Sequence, residues 1–426
     1  MNIENINSFL KNHITSYIYN AKDFIPGVTP IYYSGPYWDI EEISAAMDSF
    51  LNGKWVSSGE KVYEFEEKFN KKFNNKFSKM VNSGSSANLI LLSGLKKHFQ
   101  WENNDEIIVS PVGFPTTISV IHQNNLKPVF VDIEMNSLNF DVSKIEEKIT
   151  NRTRGIFVSP VLGNPPNIDY LLEICRIHNL VLIGDNCDSL GSRWDNKLLN
   201  EYYIASSCSF YAAHHISTGE GGMVSTDNYE LNEIYNRLSW WGRECNCVGS
   251  ANLLSCGSCG KRFNKWLKNY DGIVDHKYVF SEMGYNFKPL DLQGAIGVVQ
   301  LKKFDEIERK RKISKEKITS IFLNKISDIH SPISLDKSNV CWFGTPFICE
   351  KEGLKDRLVS HLEKNKIQTR NYFSGNILLH TGYSFLDDYR NYPEANKVLN
   401  TVFFIGSAPH YNENVFGYIN DVINKF

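Results

Sequence analysis

No apolar run in this chain approaches the roughly 20 residues that span a bilayer. Neither sign of charge is in excess: 46 Lys and Arg stand against 48 Asp and Glu, for a net charge of −2. That balance gives no general attraction to nucleic acid or acidic membranes, and neither is expected as a partner. Internal repeats and long Gly/Ser- or Pro-rich linkers are also absent. The opening stretch, MNIENINSFLKNHITSYIYN, has no basic flank followed by an apolar core, so it is not read as a secretory signal. A cytoplasmic protein is expected. Its 426 residues can bury a sizeable core and are expected to divide into a large and a small domain.

In that setting the nine cysteines argue for thiols or metal ligands rather than a disulfide framework. Cys175, Cys208, Cys341 and Cys349 lie in apolar surroundings and read as small buried hydrophobes. Cys245, Cys247, Cys256 and Cys259 crowd into one short segment, and Cys187 lies in a separate motif. By spacing alone the crowded four suit a structural zinc, an iron–sulfur cluster or unliganded thiols.

Asp39–Leu51 and Lys61–Phe73 have helical spacing. Beyond about residue 80, short apolar strands alternate with helices. Glu106–Ser110, Pro128–Asp132, Gly155–Ser159 and Leu180–Asp185 read as buried strands, with Thr116–Asn124 and Ile168–His178 as helices between them. Ile204–Tyr211 and Met223–Thr226 add two strands, and Leu292 to about Leu323 forms a long helical stretch. This alternation predicts an α/β architecture, a mainly parallel sheet covered by helices on both faces.

Four motifs carry candidate chemistry. Val81–Ala87 (VNSGSSA) precedes the apolar helical run Asn88–Leu95, and free N–H groups at a helix start bind anions, so Gly84, Ser85 and Ser86 suit a phosphate. Phe114 follows a strand end, where open α/β sheets place ligands, and its ring suits stacking. Asp185, in Gly184–Gly191 (GDNCDSLG), closes another apolar strand; there a carboxylate pairs with a protonated pyridine nitrogen or caps a helix. The fourth motif is Ser209–Gly222 (SFYAAHHISTGEGG), in which Ser209 is a further phosphate donor and His214 and His215 are candidate bases.

Together these residues resemble the DegT-type nucleotide-sugar aminotransferases over about Thr29 to Gly406. The resemblance implies the type I pyridoxal-phosphate (PLP) transferase fold, that of aspartate aminotransferase. It implies an N-terminal segment (1–45), a large cofactor-binding domain (46–305) with a cysteine-rich insert at 243–263, and a small α+β C-terminal domain (306–426). It further implies phosphate contacts from Gly84, Ser85 and Ser209, stacking by Phe114 and a pyridine partner in Asp185. Asp188 stands near the ring oxygen, where aminotransferases of the family often have glutamine. Asn286, with Lys288 two positions on, would reach the phosphate of the neighbouring subunit in a homodimer.

In that family a lysine usually stands where this chain has His214. Lysine both anchors the cofactor aldehyde and carries protons; imidazole can do only the second. The cofactor would then act in its amine form, pyridoxamine phosphate (PMP), with His214 as the base for dehydration at carbon 3 of a 4-keto sugar. The segment Trp240–Phe263 (WWGRECNCVGSANLLSCGSCGKRF) narrows the resemblance to the CDP-4-keto-6-deoxyglucose 3-dehydratases. These are PMP enzymes with a [2Fe–2S] cluster, which here implies Cys187, Cys245, Cys247 and Cys259 as ligands, with Cys256 as a substitute. A flavin and iron–sulfur NAD(P)H-dependent reductase would be the partner, and a 3,6-dideoxyhexose of a surface polysaccharide the end product. Two alternatives stay open: a TDP- or GDP-sugar dehydratase with zinc or no cluster, and an inactive homologue that binds nucleotide sugar.

Overall fold

A computed structural model describes residues 4–5, 8–9, 24–245 and 263–426. Its centre is a seven-stranded sheet: β1 (Phe77–Val81), β2 (Glu106–Val109), β3 (Lys127–Phe130), β4 (Thr153–Val158), β5 (Val181–Asp185), β6 (Ala205–Ser209) and β7 (Gly222–Thr226). Across the sheet the order is β3-β2-β4-β5-β6-β7-β1, and only β7 runs antiparallel to its neighbours. Expected strand and helix positions agree with these to within a few residues. β1 has no counterpart in the sequence reading, because FSKMV interrupts its apolar run with a serine and a lysine. Lys79 is nevertheless buried, its amine 3.3 Å from buried Glu66.

Alternate residues of each strand face opposite layers. Ile107 and Val109 join Ile90, Leu91 and Ile118 on one side, while Ile108 and Ile156 join Ile168, Leu171 and Ile174 on the other. The first layer contains helices Gly84–His98 and Pro115–Gln123, the second contains Ile168–His178. Helix Ile40–Asn52 is started by a capping box: Asp39 Oδ1 accepts from Glu41 N, and Glu42 Oε2 accepts from Asp39 N at 2.7 Å. Cys175, Cys208, Cys341 and Cys349 are all buried in the packed interior.

A second, four-stranded antiparallel sheet orders Ile329–His330, Gly344–Cys349, Val402–Gly406 and Thr369–Asn371. The helix Asp291–Leu323 joins the two regions and runs unbroken past the expected boundary at 305/306. Its far end packs Ile318 and Phe322 against Phe347 and Phe403. The segment after Thr369–Asn371 is tied to the loop that leads into Phe114. Ile377 N donates to Pro111 O at 2.9 Å, and Ser374 Oγ to Gly113 O at 2.7 Å. These bonds place the second sheet beside the carboxyl ends of the parallel strands, where open α/β sheets hold ligands. Among the described residues no helix is long and apolar enough to cross a membrane.

Candidate active site

Asp185 ends β5 at the floor of a cavity of about 560 Å³. Its Oδ2 accepts from Asn88 Nδ2 at 2.8 Å and Thr117 Oγ1 at 2.7 Å, and its Oδ1 from Cys187 N at 3.2 Å. Asn88 is fully buried and accepts in turn from Ser207 Oγ. The carboxylate is therefore fixed by two helices and a strand, not used as a helix cap. The sequence reading missed Asn88, Thr117 and Ser207. Their only signal is position: Asn88 and Thr117 lie in the first turns of the two helices that open onto the cavity, and Ser207 lies two residues before the end of β6.

The helix starts at Gly84, as the expected anion site at a helix start requires, one residue after its N-cap Ser83, whose Oγ accepts from Ser86 N at 3.1 Å. Gly84 and Ser85 thus present backbone N–H groups at the first turn, where unpaired donors and the helix dipole attract anions. Ser209, at the end of β6, and Cys187 press against Gly84: a Cβ there would lie 2.5 Å from Ser209 Cβ and 3.0 Å from Cys187 Sγ. Phe114 caps the helix Pro115–Gln123 and is 50% exposed, its ring 6.0 Å from that of Phe373 across the cavity.

His214 enters from the loop after β6. Its ring lies 5.1 Å from Phe343, and its Nδ1 lies 3.6 Å from Asp188 Oδ1. Burial first, then the Arg311 guanidinium, hold its pKa down to about 3, against a pull upward from the backbone of Cys187. Burial and the Asp185 carboxylate push Asp188 up to about 7. Burial, followed by Asp185, also holds the Cys187 thiol well above its usual range. His215, the competing base, is buried with Nε2 2.9 Å from Cys341 O and does not line the cavity.

The cavity thus brings together Gly84, Ser85, Phe114, Asp185, Cys187, Asp188, Ser209 and His214. It also takes in Arg370, which stacks 4.2 Å from the ring of Tyr33. Asn286 lies elsewhere, beside Lys288 and bridged through its backbone to Trp240. His276 is buried against Trp266 and also lies outside the cavity. Cys245 is buried, while Cys247, Cys256 and Cys259 lie outside the described residues. Among the described residues no group of three or more His, Cys, Asp or Glu side chains is arranged to hold a metal ion. The donors fit a phosphorylated heteroaromatic ring: N–H groups and a hydroxyl at one end, a fixed carboxylate at another, an aromatic face and a neutral base.

The family described as DegT/DnrJ/EryC1/StrS aminotransferases matches residues 38–424. The chain belongs to this family. It is 34% identical over 414 residues to a dTDP-4-dehydro-2,6-dideoxy-D-glucose 3-dehydratase of Saccharopolyspora spinosa, covering 95% of this chain and 88% of that protein. It is 32% identical over 440 residues to the lipopolysaccharide biosynthesis protein RfbH of Salmonella typhimurium, covering 100% of this chain and 98% of the other. Among solved structures, an E. coli GDP-4-keto-6-deoxy-D-mannose-3-dehydratase with bound hydrated PLP superposes with a TM-score of 0.80. That match has 29% identity and covers 92% of this chain and 99% of the other. The fold is accordingly that of the type I PLP enzymes, and the chain is an enzyme of this family.

Proposed function

We propose that this enzyme is a PMP-dependent 3-dehydratase of a CDP-linked 4-keto-6-deoxyhexose. It carries a [2Fe–2S] cluster on Cys187, Cys245, Cys247 and Cys259 and receives electrons from an NAD(P)H-dependent flavin/iron–sulfur reductase. The observation that carries this reading is a neutral histidine, His214, facing the cavity beside Asp188, where the resemblance expects lysine. Bound there, the pyridoxamine form supplies an amine for the sugar ketone and an electron sink for departure of the hydroxyl at carbon 3. Asp185 holds the ring nitrogen protonated, Phe114 covers one ring face, and Gly84, Ser85 and Ser209 hold the phosphate. His214 takes up the proton that must leave before the hydroxyl does. Asn286, which does not line this chain's own cavity, serves the phosphate of a second copy in a homodimer.

Cys187 lines the same cavity as Asp185, so a cluster it held would lie beside the cofactor site and would supply electrons singly. The names of the relatives favour a TDP- or GDP-linked sugar, the second reading, which goes with zinc or no cluster at the cysteines. Anaerobic purification with iron, sulfide and cofactor analysis separates the two, followed by a screen of CDP-, TDP- and GDP-4-keto sugars. Two iron and two sulfide per chain with turnover of the CDP sugar supports the first reading. Iron-free protein that turns over only a TDP or GDP sugar supports the second. Full dehydration by His214→Asn would refute the base assignment in both.

A further inference from the structure

Arg311 lies on the helix Asp291–Leu323 and is 1% exposed, yet among the described residues it forms no ion pair with a carboxylate. An unpaired buried cation is costly unless its donors are matched. Here both Nη atoms are spent on backbone, while Nε has no partner among the described residues. Nη1 donates to Phe343 O at 2.9 Å, and Nη2 donates to Ala213 O and His214 O, each at 3.1 Å.

Those last two carbonyls belong to the peptide units on either side of His214. Fixing both planes fixes φ and ψ at that residue, and hence the direction in which its Cβ leaves the chain. Ser34 Oγ adds a second donor to Ala213 O at 2.6 Å, and His214 N donates to Tyr211 O at 3.0 Å. Through Phe343 O the same guanidinium also sets the segment whose ring lies 5.1 Å from the imidazole. A planar fork can serve three carbonyls at once; the single ammonium of lysine has neither the spread nor the fixed angles.

We propose that Arg311 is a positioning residue of this site: by binding the carbonyls of Ala213 and His214 it fixes the peptide planes flanking His214 and aims the imidazole into the cavity. This rests on the reading of His214 as the base. A displacement of about 1 Å at a catalytic group can cost on the order of a hundredfold in rate. Arg311→Lys should therefore lower kcat by about 10- to 100-fold while leaving KM and the PMP dissociation constant within about twofold, since it touches neither ligand.

The test is a double-mutant cycle with His214→Asn, together with amide hydrogen exchange of the cofactor-free protein. Acting through His214, Arg311→Lys should change the residual rate of His214→Asn by less than about twofold. It should also speed exchange in the peptide covering 210–217, with any further change confined to the segment around Phe343. Wild-type kcat in Arg311→Lys, equal losses in both backgrounds, or unchanged exchange in that peptide would each overturn the proposal. If Arg311→Lys does not fold, Ser34→Ala decides by the same cycle. A loss of about threefold or more that vanishes in the His214→Asn background supports the clamp, and an unchanged kcat overturns it. Full activity of His214→Asn alone instead refutes the base assignment, so the two failures are told apart.

Discussion

His214 Nδ1 and Asp188 Oδ1 lie 3.6 Å apart at the cavity wall, with side chains only 14% and 10% exposed, yet the contact is not an ion pair. Burial and Arg311 hold the imidazole neutral down to about pH 3, while burial and Asp185 raise Asp188 to about 7. The separation also exceeds a hydrogen bond, and Nδ1 has no other partner. Such contacts commonly tighten once substrate fills a site. A carboxylate facing Nδ1 then favours the tautomer with the proton on Nδ1, which leaves the lone pair on Nε2 free to act as base.

The ionised form of Asp188 accepts from Nδ1–H far more strongly than the protonated acid does. With its pKa raised to about 7, that form grows as pH rises through neutrality. The rate of dehydration should therefore climb with pH around 7, and Asp188→Asn should lower kcat by about tenfold and erase that limb. A variant whose pH profile keeps the same rise would show that the limb belongs to another group.

The central sheet was legible because parallel strands buried on both faces read as short apolar runs, as in EIIV and VLIGD. Gly84, Phe114, Asp185, Ser209 and His214 were legible because each sits just after a strand or at a helix start. Their partners were not. Asn88, Thr117 and Ser207 are far apart in sequence and meet only at Asp185, and Arg311 is one cation in a highly charged helix whose burial depends on tertiary packing. Gly84, Ser85 and Ser86 were legible as a helix start, and the structure adds Ser83 as the cap that begins the turn.

Phe114 is half exposed, its ring meeting Phe373 edge-on across the cavity. Phe114→Ala should therefore change stability by no more than about 0.5 kcal/mol. It should weaken PMP binding by about tenfold, because the lost ring face is covered only when a planar ligand lies on it. Titration of PMP by absorbance and a melting curve separate the two effects. Unchanged affinity would remove Phe114 from the site.

His410 is a third histidine, after His214 and His215, held below its ordinary range. Burial first, then Arg311 and Lys310, keep it at about 3. The unfolded chain takes up a proton on it near pH 6.5, the folded chain only near 3, so its contribution to stability is intact above about 6.5 and is lost as pH falls toward 3. The urea midpoint of the wild type should drop between pH 6.5 and 4.5, and His410→Phe should make that drop shallower. An identical slope in the variant would mean that His410 protonates without opening the fold.

Gly84 offers a sharper test, because two rules give opposite answers there. At a helical position alanine is favoured over glycine by up to about 1 kcal/mol, so Gly84→Ala ought to stabilise. Space says otherwise: the new Cβ would lie 2.5 Å from Ser209 Cβ, and Ser209 is paired to Gly222 in the sheet and cannot retreat. The first turn of the helix must move instead, carrying the N–H groups of Gly84 and Ser85 away from the hydroxyl of Ser209. Gly84→Ala should lower the melting temperature and weaken PMP binding by more than about tenfold. Gly417→Ala is the control. It lies in the helix Glu413–Ile423 with no atom within 4 Å of the added Cβ, so it should raise stability and leave PMP binding unchanged. If both variants stabilise and bind PMP normally, the first turn of that helix does not hold the phosphate.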